Sequence, residues 1–462
     1  MHYEKLPDGS VKCIEDEIPF ELPERWEWTF LSNIVCVLNG DRGQNYPAKN
    51  KLQNEGIPFV SASNIEDGVV SADGLLCLSD AQYNALGAGK LVSGDIVYCI
   101  RGSLGKCGLF TMEKGAIASS LVIVRSILDN THVRDYIFLY LNSAFADEEI
   151  KKYDNGSAQP NLAAKDFTHF LVPIPPQKEM QRINEQAQKA LGYVKSIQNS
   201  KSELCDAIAM TKSKILDLAI RGKLVPQDSN DEPASVLLER IRAEKEELIK
   251  LGKIKRDKKE SVIFKGEDNS YYLKIGNLTE TLDDWRIDDI PDSWGVCCLG
   301  EVCDYGNCTN VDTKDIPETA WILDLEDIEK DTGKVLQKLT LKERNSASTK
   351  HSFHKGQVLY SKLRPYLNKV VLADDEGYCT SEILPLDFND MVYPKYARYY
   401  LMSPTFLKYA NYCSYGVKMP RLGTNDGKKA ILTVPPLQEQ HRIVNAIETI
   451  FAKLDEIANA LS

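Results

Sequence analysis

The sequence predicts a mixed α+β protein (mixed α/β): two similar globular domains joined by long antiparallel coiled-coil helices. Three observations predict it. The 462-residue chain repeats itself at a spacing of roughly 265 residues; apolar positions step by four and three after each of two proline pairs; and short apolar strand-like runs alternate with helical ones. With 43% hydrophobic and 27% charged residues, the composition is that of a folding globular chain and excludes a collagenous or disordered one.

The boundaries follow from the repeat. Residues 1–20 form an N-terminal segment, and 21–176 a first domain. Residues 177–289 are a central helical spacer and linker, 290–436 a second domain, and 437–462 a distal helix. Leu22-Pro23-Glu24-Arg25-Trp26 reappears as Ile290-Pro291-Asp292-Ser293-Trp294, an offset of 268. Gly94-Asp95-Ile96-Val97-Tyr98 matches Gly356-Gln357-Val358-Leu359-Tyr360, and Arg101–Lys106 lines up with Arg364–Lys369 after a one-residue slip. From Tyr136 to Ile183 the chain aligns without gaps to Tyr396–Ile443, with identities including Tyr140/Tyr400, Pro160/Pro420, Glu179/Glu439 and Arg182/Arg442. The flanks agree while the middles differ, as expected of one scaffold carrying two surfaces.

Strands are expected at Ile57 to Val60, Ile96 to Ile100, Leu121 to Val124, Trp321 to Leu325 and Val358 to Ser361, and helices near Val133 to Asn142 and Pro394 to Met402. Pro175-Pro176 and Pro435-Pro436 close the domains, and proline suits the first turn of a following helix because its missing N–H has no partner there. The first helix runs through Ile183, Ala187, Ala190, Val194, Ile197, Lys201, Leu204, Ile208, Thr211, Ile215 and Leu218 up to Gly222. The second runs through Ile443, Ile447, Ile450, Leu454, Ile457 and Leu461. Such stepping is a coiled-coil seam, each helix the other's partner; the plainer alternative is two amphipathic helices packed on their own domains. Pro226 breaks the first helix and Pro233 opens another through Val236, Leu237, Ile241 and Leu248. The basic run Lys253–Lys259 reads as a solvated linker or a phosphate contact.

Charge and motifs narrow the function. The net charge of -11 advertises no nucleic-acid partner, so any DNA contact must be local. The twelve cysteines follow no disulfide framework, the start is polar without an apolar signal core, and no run approaches a membrane span. The expectation is a cytoplasmic protein with no membrane association. No phosphate loop, His-Glu-x-x-His pair or Gly-x-Ser-x-Gly elbow occurs; Gly87-Ala88-Gly89-Lys90 lacks the required spacing and hydroxyl. Cys297, Cys298, Cys303 and Cys308 could hold a soft metal, but their spacing is unusual, and apolar packing in a strand is the better account. Carboxylates such as Asp324, Glu326 and Asp327 have no partner that would make them acids or bases. No catalytic, cofactor-binding or metal-binding residue is assigned.

The duplicated unit resembles a known family. The Leu-Pro-x-x-Trp motif at Leu22 to Trp26, the Pro-Pro-x-x-Glu-x-x-Arg-Ile segments at Pro175 to Ile183 and Pro435 to Ile443, and Gly222-Lys223-Leu224-Val225-Pro226-Gln227 look like the specificity subunit of a Type I restriction-modification enzyme. The resemblance covers essentially the whole chain. It implies two target-recognition domains that read the halves of a split double-stranded DNA sequence. The implied partners are two N6-adenine methyltransferase subunits carrying S-adenosylmethionine and, in the restriction complex, motor-nuclease subunits. This chain lacks the Asn-Pro-Pro-Phe/Tyr motif, so the resemblance implies a non-catalytic subunit without a cofactor of its own. The distal helix is shorter than the first, and the N-terminal segment is a candidate to complete that end.

Base readout favours Arg or Lys on guanine and Asn or Gln on adenine, with other cations and amides holding phosphates. The first domain's candidates are Arg42, Gln44, Asn45, Ser61, Asn64, Arg101, Ser103, Lys106, Gln159 and Asn161. The second domain's are Asn307, Asn310, Lys362, Arg364, Tyr366, Asn368, Lys369, Lys418 and Arg421. The pairs Arg101/Arg364 and Lys106/Lys369 rank first because both units keep them in a turn. The rival readings are a standalone DNA-modifying enzyme and a scaffold that binds proteins and no DNA.

Overall fold

A computed structural model describes every residue except 1–2, 6–7, 155–159, 253–260, 269, 283–289, 345, 389–391 and 462. The described residues form two compact units, Met1–Gln198 and Asn199–Ser462. Each mixes strands and helices, and no described helix is long and apolar enough to cross a membrane.

In the first unit, Glu27–Phe30 pairs antiparallel with Leu171–Ile174, closing the domain on itself. Between them lie a six-stranded sheet and a four-stranded one. The six run in the order Val35–Asn39, Leu121–Ser126, Ile96–Cys99, Cys107–Leu109, Val69–Val70, Ile65–Glu66; the four run Cys77–Leu78, Ile57–Val60, Lys114–Ile117, Lys90–Val92. Leu121–Val124 is a continuous apolar run because both its faces are covered. Val122 and Val124 point to one core with Ile96 and Tyr98, while Leu121 and Ile123 point to another with Val97 and Cys99. Helices Thr131–Leu141 and Ala144–Tyr153 cover the first of these cores, capped by Asn130 and Ser143 side chains that accept from His132 N and Ala146 N.

The second unit repeats this frame. Gly295–Cys298 pairs with Ile431–Val434, and the helices are Pro394–Leu401 and Pro404–Tyr412, the latter capped by Ser403. Its sheets run Asn310–Val311, Lys350–Phe353, Gly377–Thr380, Trp321–Leu323, Leu339–Thr340, and Val370–Leu372, Val358–Ser361, Ile383–Leu386. The shared tyrosines have a structural reason. Tyr140 Oη donates to Leu171 O at 2.9 Å and Tyr400 Oη to Ile431 O at 2.8 Å, each tying the first helix to the closing strand. Tyr136 and Tyr396 do the same at Pro173 O and Thr433 O.

The expected strands and helices stand within a few residues of their predicted bounds, and both proline pairs start helices: Gln177–Ile220 and Leu437–Ala460. The long helix stops at Gly222, where φ is +66° and Lys223 N bonds back to Leu218 O. Within the second unit the two helices pack antiparallel. Ile220 O accepts from Thr433 Oγ1, before the start of one helix, and Lys212 pairs with Asp455 near its end. Ile215, Leu216, Ala219 and Ile220 share a core with Ile443, Val444 and Ile447. The expected seam is shorter than the heptads suggest, for Val194, Ile197 and Leu204 are exposed. A 24-residue helix is about 36 Å long and covers only part of a 44-residue one of about 66 Å.

Two segments differ from expectation. The linker contains, after helix Ala234–Lys250, a three-stranded meander, Ser261–Lys265, Tyr271–Ile275 and Leu278–Thr281, that packs on Val296 and Cys298. The basic run 253–259 lies outside the described residues. The N-terminal segment is a hairpin, Tyr3–Lys5 with Val11–Cys13, followed by Phe20 packed on Trp28 and Phe145.

Candidate nucleic-acid interface

In the first unit several strands finish at one end. Ile57–Val60 and Lys114–Ile117 are parallel, and Val35–Asn39 and Ile96–Cys99 both run antiparallel to Leu121–Ser126, whose start marks that end. The hub is Ser119-Ser120. Arg42 Nη2 donates to Ser119 O at 3.3 Å, Ile100 N to Ser120 O at 3.0 Å, and Ala118 N to Val60 O, beside Ser61. Arg101 then reaches Asn161, Nε to Oδ1 at 3.1 Å. Arg42, Ser61, Asn64, Arg101 and Asn161 are thus brought to one rim by bonded neighbours.

The loop after Asn39 is ordered by Asp41, whose carboxylate accepts from Gly43 N at 2.7 Å and Gly87 N at 2.8 Å. Those N–H groups hold its pKa below the usual range. Arg42, Gln44 and Asn45 are exposed on this loop, Asn45 donating to Ala85 O. Ser61 and Asn64 cap a short 3-10 turn reciprocally: Asn64 Oδ1 accepts from Ser61 N at 3.0 Å and Ser61 Oγ at 2.7 Å. Ser103 and Lys106 are exposed in the turn after Cys99; Gln159 lies outside the described residues.

The second unit builds the same end with other chemistry. The turn after Ser361 is stitched to 420–422 as its counterpart is to 160–162. Arg364 N donates to Pro420 O at 2.7 Å and Leu422 N to Lys362 O at 3.0 Å, against Gly102 N to Pro160 O at 3.1 Å and Leu162 N to Ile100 O at 2.9 Å. This ladder corrects one alignment. Arg364 occupies the place of Gly102, both with positive φ, and Arg101 corresponds to Leu363; the slip falls later in the turn. Lys106 and Lys369 remain equivalent, their carbonyls accepting from Cys99 N and Ser361 N.

Equivalent places do not carry equivalent exposure. Lys106 is exposed, whereas Lys369 Nζ donates to Leu325 O at 2.7 Å and burial lowers its pKa. Asn161's counterpart, Arg421, is held by the Glu382 carboxylate through Nε and Nη2 at 3.1 and 2.9 Å. Asn368 Nδ2 donates to Met402 O, and Lys362 is half-buried beside Glu382. Asn307, Asn310, Tyr366 and Lys418 are exposed, Lys418 in the loop that follows Tyr415.

Sequence reasoning named Ser61 and Asn64 but missed their counterparts as a site. Asp324 and Asp327 form the matching reciprocal cap after strand Trp321–Leu323, and Arg344 and Lys350 neutralise them. A capping pair three residues apart directly after each strand was the available signal. Cys297 and Cys298 lie in a buried strand, where burial pushes the Cys298 thiol up to about 12, which agrees with the packing account. Among the described residues no group of three or more His, Cys, Asp or Glu is placed to hold a metal ion.

The family model described as "Type I restriction modification DNA specificity domain" matches residues 23–204 and again 291–462. The chain belongs to this family. The specificity-domain match falls on both repeats, each with its own strand-end rim. Similar proteins include the Escherichia coli Type I restriction enzyme EcoDI specificity subunit, 26% identical over 69% of this chain and 64% of its own length. The EcoEI specificity subunit of the same organism is 24% identical over 98% and 82%, and the EcoAI subunit 29% identical over 65% and 54%. The matched stretches thus span less than two thirds of the EcoDI and EcoAI subunits. In fold, the chain is similar to one in a solved structure of "complex assembly" and "conformational transition of the type I R-M system", with a TM-score of 0.58, 17% identity, and coverage of 96% and 94%.

Proposed function

We propose that this specificity-family chain reads a bipartite double-stranded DNA target, one half-site per unit, and performs no chemistry itself. The carrying observation is the duplicated strand-end rim with two different polar sets: Arg42, Arg101 and Asn161 in one unit, and Lys362, Arg364, Arg421 and Glu382 in the other. One scaffold with two chemistries is what two unlike half-sites require, since base edges are told apart by donor and acceptor patterns. The partners in this reading are two N6-adenine methyltransferase subunits, which carry S-adenosylmethionine, and motor-nuclease subunits in the restriction complex, all in the cytoplasm. Affinity follows cations set opposite phosphates, and residues 20–176 hold 13 Lys+Arg against 18 Asp+Glu while 290–436 hold 18 against 19, so in this reading the chain alone binds DNA weakly and clamping by the methyltransferases supplies the remainder.

The test is selection from a random DNA library by the chain with a methyltransferase of the same system, in parallel with the pure chain given methyl donor, magnesium and DNA. The expected result is two enriched half-sites at a fixed gap, with no turnover by the pure chain. Turnover by the pure chain, or no selected sequence from the complex, overturns the proposal.

A further inference from the structure

The two units treat one surface differently. In the second, Trp294 Nε1 donates to Glu439 Oε2 at 3.1 Å and Gln227 Nε2 to Glu439 Oε1 at 2.6 Å, while Ser293 Oγ donates to Gln227 Oε1 at 2.9 Å. Four residues after Gln227, Asp231 takes the guanidinium of Arg442 at 2.5 Å. The same stretch continues into helix Ala234–Lys250, whose Leu238 lies over Gly295, and then into Ser261–Lys265, the first strand of the meander. Under this cover Trp294 is 5% exposed, Glu439 is fully buried, and all of Gly295–Cys298 is buried.

Among the described residues, the first unit has the same positions without the cover. Trp26, Glu179 and Arg182 stand at the repeat's offsets from Trp294, Glu439 and Arg442, flanking the strand pair Glu27–Phe30 and Leu171–Ile174 as their counterparts do. The N-terminal hairpin stands, at the same offset of 268, where the last two meander strands stand, and among the described residues its sheet has two strands where the meander has three. Among the described residues the Glu179 and Arg182 side chains make no hydrogen bond or ion pair. Arg182 is exposed, Trp26 is only half-buried, and Val11 and Phe20 are 62% and 48% exposed.

From this we infer that this face of the first unit docks a separate polypeptide segment of the same chemistry as residues 222–265. Such a segment offers an amide to Glu179, a carboxylate four residues later to Arg182, and then an amphipathic helix and a strand. The second unit shows how such a segment meets these residues, and the charges at Glu179 and Arg182 are complementary to it. A strand added to a sheet supplies main-chain hydrogen bonds, while the ion pair and the amide fix the register. Glu27 stands where Gly295 admits Leu238, whose Cδ1 lies 2.5 Å from the position of a glycine's added Cβ. The occupant therefore carries a small side chain at that point of its helix.

The probe is a labelled synthetic peptide of residues 222–265 with Leu238→Ala, titrated into the full-length chain without DNA, so that the result is independent of the DNA-reading proposal. Saturable one-to-one binding is expected, weakened at least tenfold by Arg182→Glu in the chain and recovered when a peptide with Asp231→Lys meets the Arg182→Glu chain. No saturable binding overturns the inference. So does binding that ignores Arg182→Glu but is lost with Arg442→Glu, because the peptide would then be exchanging with the second unit's own segment.

Discussion

Arg364 sits at φ +50° and ψ +63°, left-handed values that cost a non-glycine residue roughly 1–2 kcal/mol. It precedes Pro365, its N–H is committed to Pro420 O, and its Nε is buried without a hydrogen-bond partner among the described residues. The first unit solves the same corner with Gly102 at φ +78°. Arg364→Gly should therefore raise stability in urea unfolding by about 0.5–1 kcal/mol, the strain relief less the entropy that glycine adds to the unfolded chain. On the DNA-reading proposal it should also weaken selection of the second half-site while sparing the first. A clear loss of stability would show that the corner is not strained. The sequence exposed this turn as basic in both units, yet paired Arg101 with Arg364, because a one-residue slip inside a turn leaves no mark in composition. It could not reveal that Lys369 points at Leu325 O, since that carbonyl arrives from a 3-10 turn more than forty residues away.

At the level of elements, the motif residues around the second closing helix form one hydrogen-bonded knot. Glu439 accepts from Trp294 and Gln227, so its two oxygens each serve one donor, and burial nonetheless pushes its pKa above the usual carboxylate value. A glutamine there would turn an amide N–H₂ toward a donor, so Glu439→Gln should cost about 1–3 kcal/mol in denaturant unfolding, the penalty of an unsatisfied buried group. Glu179→Gln, lacking those partners, should cost far less. The sign with pH follows from the raised pKa. The folded state holds the proton more tightly than the unfolded one, so Glu439's contribution is fully present below about 4.5 and declines as pH climbs through the folded value. Glu439→Gln should remove that slope. The helices themselves were legible, because proline pairs and four-three stepping are local signals. The meander was not, although Gly276-Asn277 between Tyr271–Ile275 and Leu278–Thr281 is a two-residue hairpin turn, with Gly276 at φ +60°. The neighbouring basic run drew the whole stretch into a linker reading. The length of the helix pairing was also hidden, since a heptad records which face is apolar and not what covers it.

For the whole molecule, the decisive element is the single helix Gln177–Ile220, which begins in the first unit's core at Met180 and ends in the second unit's core at Ile220. Between these anchors, residues 188–206 are exposed, so their length is unconstrained by either core. Inserting four helix-favouring residues beside Lys201 lengthens the helix by about 6 Å and adds about 40° beyond a full turn, leaving both rims built as before. If the helix sets the distance between two readers, library selection with the inserted chain should return the same two half-sites with a gap changed by up to about two base pairs, at roughly 3.4 Å per pair. Altered half-sites with an unchanged gap would mean that the spacing is imposed elsewhere, and the exposed helix would then be a tether rather than a ruler.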